Sequence, residues 1–116
     1  MGYKDGEEIA FDELEYIVKP ILLNTSLPLS VDIESGYSKN PLEIAHHIKR
    51  LIRLGVVGIN IEDSVMEDGR VLLNAYEFSH ILLEVKKLLL ESNLDIFINV
   101  RIDTFCLLYT SDAADD

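Results

Sequence analysis

Apolar and polar positions alternate strictly in three stretches of this chain. Over residues 29–34 the apolar set Leu29, Val31 and Ile33 alternates with Ser30, Asp32 and Glu34. Residues 57–62 repeat the pattern, with Val57, Ile59 and Ile61 set against Gly58, Asn60 and Glu62. Residues 96–103 do so again, with Ile96, Ile98, Val100 and Ile102 against Phe97, Asn99, Arg101 and Asp103. Successive side chains of a strand point to opposite faces, so the pattern predicts three strands, each with one wholly aliphatic face. The other face turns charged towards each C-terminal end.

Between these stretches the period becomes helical. Asn40, Pro41 and Glu43 offer a cap, a proline at the first helical position and an acid three residues after the cap. Ile44, Ile48, Leu51 and Ile52 follow at helical spacing, and Gly55 suits a left-handed stop. A second helix opens at Asn74 with Glu77, carries Phe78, Ile81, Leu82, Val85, Leu88 and Leu89, and can end at Asn93. Upstream, residues 12–24 are helical in pattern, with Pro20 expected to kink or split the helix.

The resulting order is helix, strand, helix, strand, helix, strand. Crossovers of this length join parallel strands, with helices packed on the aliphatic face. A doubly wound sheet buries both faces, so its central strands should be apolar on both sides. These strands are not. A (β/α)8 barrel tolerates polar residues on the inner face near its C-terminal mouth, where active sites of that fold lie. The strands begin 28 and 39 residues apart, against roughly 31 per unit in a barrel of about 250 residues. The predicted fold is therefore α/β, a fragment of a (β/α)8 TIM barrel with about three parallel strands and flanking helices.

Composition adjusts this picture only at the edges. At 116 residues, 48% hydrophobic and 27% charged, the chain can bury a core. A net charge of −11 repels phosphate backbones and anionic lipid, so neither nucleic acid nor a membrane surface is an expected partner. The single cysteine, Cys106, cannot form an internal disulfide. Without an export pattern or a long apolar run, a cytosolic location is the default.

The charged strand ends carry the candidate chemistry. Asp32 and Glu34 share a strand face, and Glu62 lies at the equivalent end of the next strand with the same phase. Three convergent carboxylates call for a cation, and hard oxygen donors favour Mg²⁺, with Mn²⁺ as an alternative. Arg101, from the third strand, can face that metal across a small anionic substrate through its guanidinium fork. Acids at strand ends are also often merely solvated. Repetition in one phase over three strands is what favours a site. Tyr37, beside Gly36, either closes over a substrate or packs. Asp63 and Asp103 fall at the rim, where a cap or loop hydrogen bond is the plainer reading. His46, His47 and His80 read as solvated or partly packed helix positions, and Cys106 has no base in suggestive spacing.

The segments "SVDIESGYSKNP", "GVVGINIEDS" and "FINVRIDTF" together resemble the isocitrate lyase and phosphoenolpyruvate mutase superfamily, and "GYKDGEEIAFDEL" resembles the family segment after its second strand. The resemblance implies that Asp32 and Glu34 match the acidic pair that holds Mg²⁺, that Glu62 matches a further acid of the metal shell, and that Arg101 matches the arginine binding the substrate's carboxylate or phosphonate. It implies cleavage or formation of a C–C or P–C bond beside an α-oxo acid through an enolate. It also implies a homo-oligomer for the full-length protein. Two departures stand out. The loop 64–70 lacks the catalytic cysteine of the isocitrate lyases, which points to the shorter phosphonomutase-like branch. Glu34 stands where an aspartate is common, so that arm is one methylene longer. On this reading residues 1–106 form a partial barrel domain lacking strands at both ends, and residues 107–116 are a tail foreign to the fold. Two functions follow: a Mg²⁺-dependent lyase, decarboxylase or phosphonomutase for the parent protein, or a non-catalytic, association-prone fragment.

Overall fold

The computed structural model describes residues 2–67 and 69–102; the side chains of residues 2–9 and 64–72 lie outside that description. Asp103, Cys106 and the 107–116 tail therefore fall outside the described residues. The element order is α1 (Gly2–Leu23), β1 (Ser30–Asp32), α2 (Pro41–Leu54), β2 (Gly58–Glu62), β3 (Ser64–Glu67), β4 (Gly69–Leu72), α3 (Ala75–Glu91) and β5 (Phe97–Arg101).

Strands β1, β2 and β5 form one parallel sheet in the order β1-β2-β5, and each crossover contains a helix. This is the predicted βα architecture. The aliphatic faces behave as alternation requires. Val31, Ile33, Ile59 and Ile61 are buried beneath Ile44, Ala45, Ile48 and Leu51 of α2 and Phe78, Ile81, Val85 and Leu89 of α3. Cover ends along β5: Ile96 is buried, but Val100 and Ile102 are exposed, as is Val57 just before β2. For Val100 and Ile102 the expected burial is not met: β5 stands at the edge of this sheet, paired with β2 among the described residues.

The caps form where the sequence places them. Asn40 Oδ1 accepts the Leu42 N–H at 3.0 Å, and Asn74 Oδ1 accepts the Glu77 N–H at 2.7 Å. Glu43 does not reach back to Asn40 directly. Its Oε2 accepts from Ser38 Oγ (2.6 Å), and that hydroxyl oxygen accepts the Asn40 N–H (2.9 Å), so the capping box closes through a serine relay. Gly55 (φ +110°) ends α2, and Asn93 (φ +57°) follows α3 with the Leu94 N–H returning to the Leu89 carbonyl at 2.9 Å.

Two expectations change. Helix α1 begins at Gly2 and runs through Pro20 to Leu23 without splitting. Pro20 lies in the last turn, so the single backbone bond it forfeits is near a frayed end, and the Asn24 side chain donates to the Pro20 carbonyl at 2.7 Å. The segment 64–70, read as a loop, instead contributes to an antiparallel strand pair, β3 with β4, in which Val65 is paired to Val71 and Met66 to Arg70. The Asp68-Gly69 dipeptide between short β-prone runs was the available signal. No helix among the described residues is long and apolar enough to cross a membrane.

Helix α1 joins the core through Phe11 and Val18, with Leu14 and Leu22 packed against it. Phe11 is fully buried and stacks on His47, centroids 4.2 Å apart and planes 18° from parallel. The Arg50 guanidinium lies 4.8 Å from the centre of the Phe11 ring. Arg50 also forks onto Glu15 (3.1 and 2.5 Å) and reaches Asp12 at 2.9 Å. Those bonds, Glu15 foremost, raise the guanidinium's pKa. At a half-exposed site the ion pairs contribute little, about 1 kcal/mol or less each; the buried ring carries the attachment. Phe11→Ala is expected to destabilise the protein by about 3–5 kcal/mol, read as a lower urea midpoint, whereas Arg50→Ala should cost far less.

Candidate functional site

Parallel register places the polar residues of the sheet in rows. Ser30 sits opposite Gly58, Asp32 opposite Asn60 and Asn60 opposite Asn99, with Glu62 opposite Arg101 at the C-terminal ends. Gly58 leaves room for the serine, since a Cβ there would stand 2.9 Å from Ser30 Oγ and that hydroxyl would have to rotate away. In the middle row the Asn99 amide donates to Asn60 Oδ1 at 3.2 Å. In the last row Arg101 Nη1 lies 3.7 Å from Glu62 Oε2. The strand-borne candidates Asp32, Glu62 and Arg101 thus share one open face, opposite the buried aliphatic one.

Glu34 differs from the expectation. It lies past the end of β1, in a turn where its φ is +54°, and is no longer part of a regular strand face. The reason is local. Asp32 Oδ1 accepts the Glu34 N–H at 2.8 Å, an Asx-type turn that competes with strand continuation. The Gly36 N–H then closes onto the Ile33 carbonyl at 2.8 Å. Pairing with β2 survives, because the Ile33 N–H reaches the Asn60 carbonyl (2.9 Å) and the Glu62 N–H reaches the Glu34 carbonyl (2.7 Å). Glu34 and Glu62 therefore remain backbone neighbours.

Gly36 (φ +92°) and Tyr37 (φ +61°) continue the left-handed run. A Cβ at Gly36 would meet Ile44 Cγ2 at 2.8 Å, so the turn needs glycine for both space and conformation. Tyr37 is half-buried, edge-on to Phe11 (5.9 Å, 65°) and to His47 (6.4 Å, 77°). Its phenol is pushed up to about 12, first by burial and then by the charges of Glu34 and Asp32. The tyrosine thus packs on one side and feels both carboxylates on the other. It stays a neutral hydrogen-bond donor throughout the ordinary pH range.

Among the described residues, no three His, Cys, Asp or Glu side chains gather in a geometry that could hold a metal ion by themselves. Asp32 and Glu34 are exposed, and Glu62 is held beside Arg101. The sequence reading missed one contributor. His47, placed with solvated or partly packed histidines, is fully buried, with Nδ1 2.8 Å from the Gly36 carbonyl oxygen. His46 and His80 are exposed, as expected of solvated positions. Asp63, read as a rim residue, is buried at the base of the hairpin, where its carbonyl accepts the Leu73 N–H at 2.8 Å. Helical phase was the available clue for His47, since it falls on the same face as Ile44 and Leu51.

A family model described as phosphoenolpyruvate phosphomutase matches residues 1–116. Uncharacterized proteins from two strains of Mycobacterium tuberculosis are 36% identical over 84 residues, which is 72% of this chain and 29% of theirs. A protein of Burkholderia cenocepacia, described as a candidate phosphonomutase, superposes with a TM-score of 0.73 at 33% identity, over 86% of this chain and 40% of that one. A 2,3-dimethylmalate lyase of the PEP mutase/isocitrate lyase superfamily gives 0.61 at 23% identity, over 71% of this chain and 28% of its own. At that identity the likeness shows the fold: the sheet and its helices match part of a TIM-barrel-like domain. The chain spans 29% of the length of the curated relatives it matches.

The Tyr37 phenol links stability to alkaline pH. Its folded value, about 12, lies above the ordinary 10.0, so the neutral form is favoured in the folded chain. That contribution is complete below about pH 10 and is lost as pH rises from about 10 to about 12. Unfolding free energy measured by urea at stepped pH is expected to fall through this window, and Tyr37→Phe should make the fall shallower.

Proposed function

Because this chain belongs to the phosphoenolpyruvate phosphomutase family, we propose that its parent protein is a Mg²⁺-dependent enzyme that breaks or forms a carbon–carbon bond beside the carbonyl of a small α-oxo acid, as a lyase or decarboxylase does. The observation that carries this reading is the end of the polar sheet face. There Arg101 lies 3.7 Å from Glu62, on the same face as Asp32. Breaking a bond next to an oxo group leaves its electron pair on the α-oxo fragment as an enolate. A competent site must hold the acid's carboxylate and meet the new charge on the oxo oxygen.

The residues divide these tasks. Arg101 takes the carboxylate through its planar fork, and Glu62 orients the guanidinium. Tyr37, kept protonated, can donate a hydrogen bond to a substrate oxygen, with Gly36 setting its turn. Asp32 is exposed, and one of its oxygens is engaged by the Glu34 N–H. That donor set suits a hard divalent cation in its chemistry. With no three-residue group gathered for it, Asp32 and Glu34 would hold Mg²⁺, and water would complete the shell. The cation's contribution, when bound, is positive charge beside the oxo oxygen in an otherwise acidic mouth.

A P–C phosphonomutase is the second reading, favoured by the description of the Burkholderia cenocepacia neighbour at 33% identity. Against it, Arg101 is the one cation on this face among the described residues, and a phosphonate brings more negative charge than a carboxylate. The test uses the product of the full coding sequence, assayed with α-oxo acid precursors and with phosphonate analogues. Activity should require Mg²⁺. Arg101→Ala should raise KM about a hundredfold, the scale for stripping a charged partner from an anion, and Glu62→Ala should lower activity about tenfold or more. A protein indifferent to Mg²⁺ whose Glu62→Ala variant kept full activity would refute the proposal.

A further inference from the structure

We propose that His47 is a positioning residue for this site: by donating from Nδ1 to the Gly36 carbonyl, it holds the left-handed turn that presents Glu34 and Tyr37. The inference rests on the reading of the site given above, and it concerns a side chain that lies wholly behind the sheet.

Three of the four residues 34–37 have positive φ, and two of them, Glu34 and Tyr37, carry side chains. Positive φ is unfavourable for a residue that carries a side chain, so the turn persists only if its surroundings over-determine it. Four hydrogen bonds do so. Three are made within the turn or to β2: Glu34 N–H to Asp32 Oδ1, Gly36 N–H to the Ile33 carbonyl, and Glu62 N–H to the Glu34 carbonyl. The fourth, from His47, is the one that comes from a helix and a side chain. It fixes the direction of the Gly36–Tyr37 peptide, and hence the backbone from which the phenol projects.

His47 is itself held. The Phe11 ring lies flat against it at 4.2 Å, which sets the plane of the imidazole, and Ile44, one turn earlier on α2, fills the space against Gly36. Its ring also meets Tyr37 edge-on at 6.4 Å. One helix face thus contacts the turn through backbone and side chain together. A purely packing histidine would need the ring but not the donor.

That distinction supplies the test, made on the full-length protein. His47→Phe keeps a flat ring on Phe11 and removes the Nδ1 donor. His47→Asn removes the ring and keeps an N–H donor at a similar place. Amide hydrogen exchange, read by mass spectrometry over peptides spanning residues 32–38, should quicken about tenfold in His47→Phe, with β2 and α3 peptides little changed. His47→Asn should keep exchange in the turn within about threefold of the parent despite a lower melting temperature. In turnover, kcat should fall about tenfold in the Phe variant and recover substantially in the Asn variant, with KM moving less. Unchanged exchange in His47→Phe, or exchange and kcat that track melting temperature in both variants, would overturn the proposal. A parent protein with no Mg²⁺-dependent turnover would count against the enzyme reading alone, because the exchange comparison does not depend on activity.

Discussion

Everything in this chain follows from alternation on parallel strands held in register. Because β1, β2 and β5 pair without a slip, their aliphatic residues fall on one face, and α2 and α3 cover those of β1 and β2 and the start of β5. The same register lines up what is left. A shift of one residue would bury Asp32, Asn60 and Glu62 among isoleucines and expose Ile59 and Ile61. The hydrophobic effect therefore selects the polar rows without any polar group contributing to the choice.

Much of this was legible in the residues. Strand phase, both asparagine caps, the glycine stop and the parallel order all rest on local periodicity and local hydrogen bonding, which a sequence displays directly. The rows of Asp32, Glu62 and Arg101 follow from the same phase. What was not legible depends on contacts distant in sequence. Glu34 reads as a strand residue until Asp32 is seen to bond its amide, after which the backbone leaves the strand. His47 reads as a solvated helix position until Phe11, 36 residues earlier, is seen to lie on it. The end of cover on β5 depends on its place at the edge of the described sheet, which no periodicity encodes.

The site inherits an electrostatic tension from the composition. A chain of net charge −11 presents Asp32 and Glu34 unpaired by any described cation, and beside them a phenol that resists ionisation. Among the described strand residues Arg101 alone offers positive charge on that face, and it is already beside Glu62. Such an arrangement repels the anions it would recognise unless further positive charge arrives. On the proposed function a hard divalent ion would be the simplest carrier of that charge, and metal dependence would then bear on substrate affinity as well as on bond cleavage.

The meeting of Gly36 with Ile44 has an evolutionary consequence. Two independent obstacles, a left-handed backbone and an aliphatic branch 2.8 Å from where a methyl would stand, oppose any side chain at position 36. Trimming Ile44 removes only the second, so drift at the helix cannot release the turn. Sequence divergence among relatives should accordingly be permissive at 44 only towards residues of similar or smaller bulk, while 36 stays fixed.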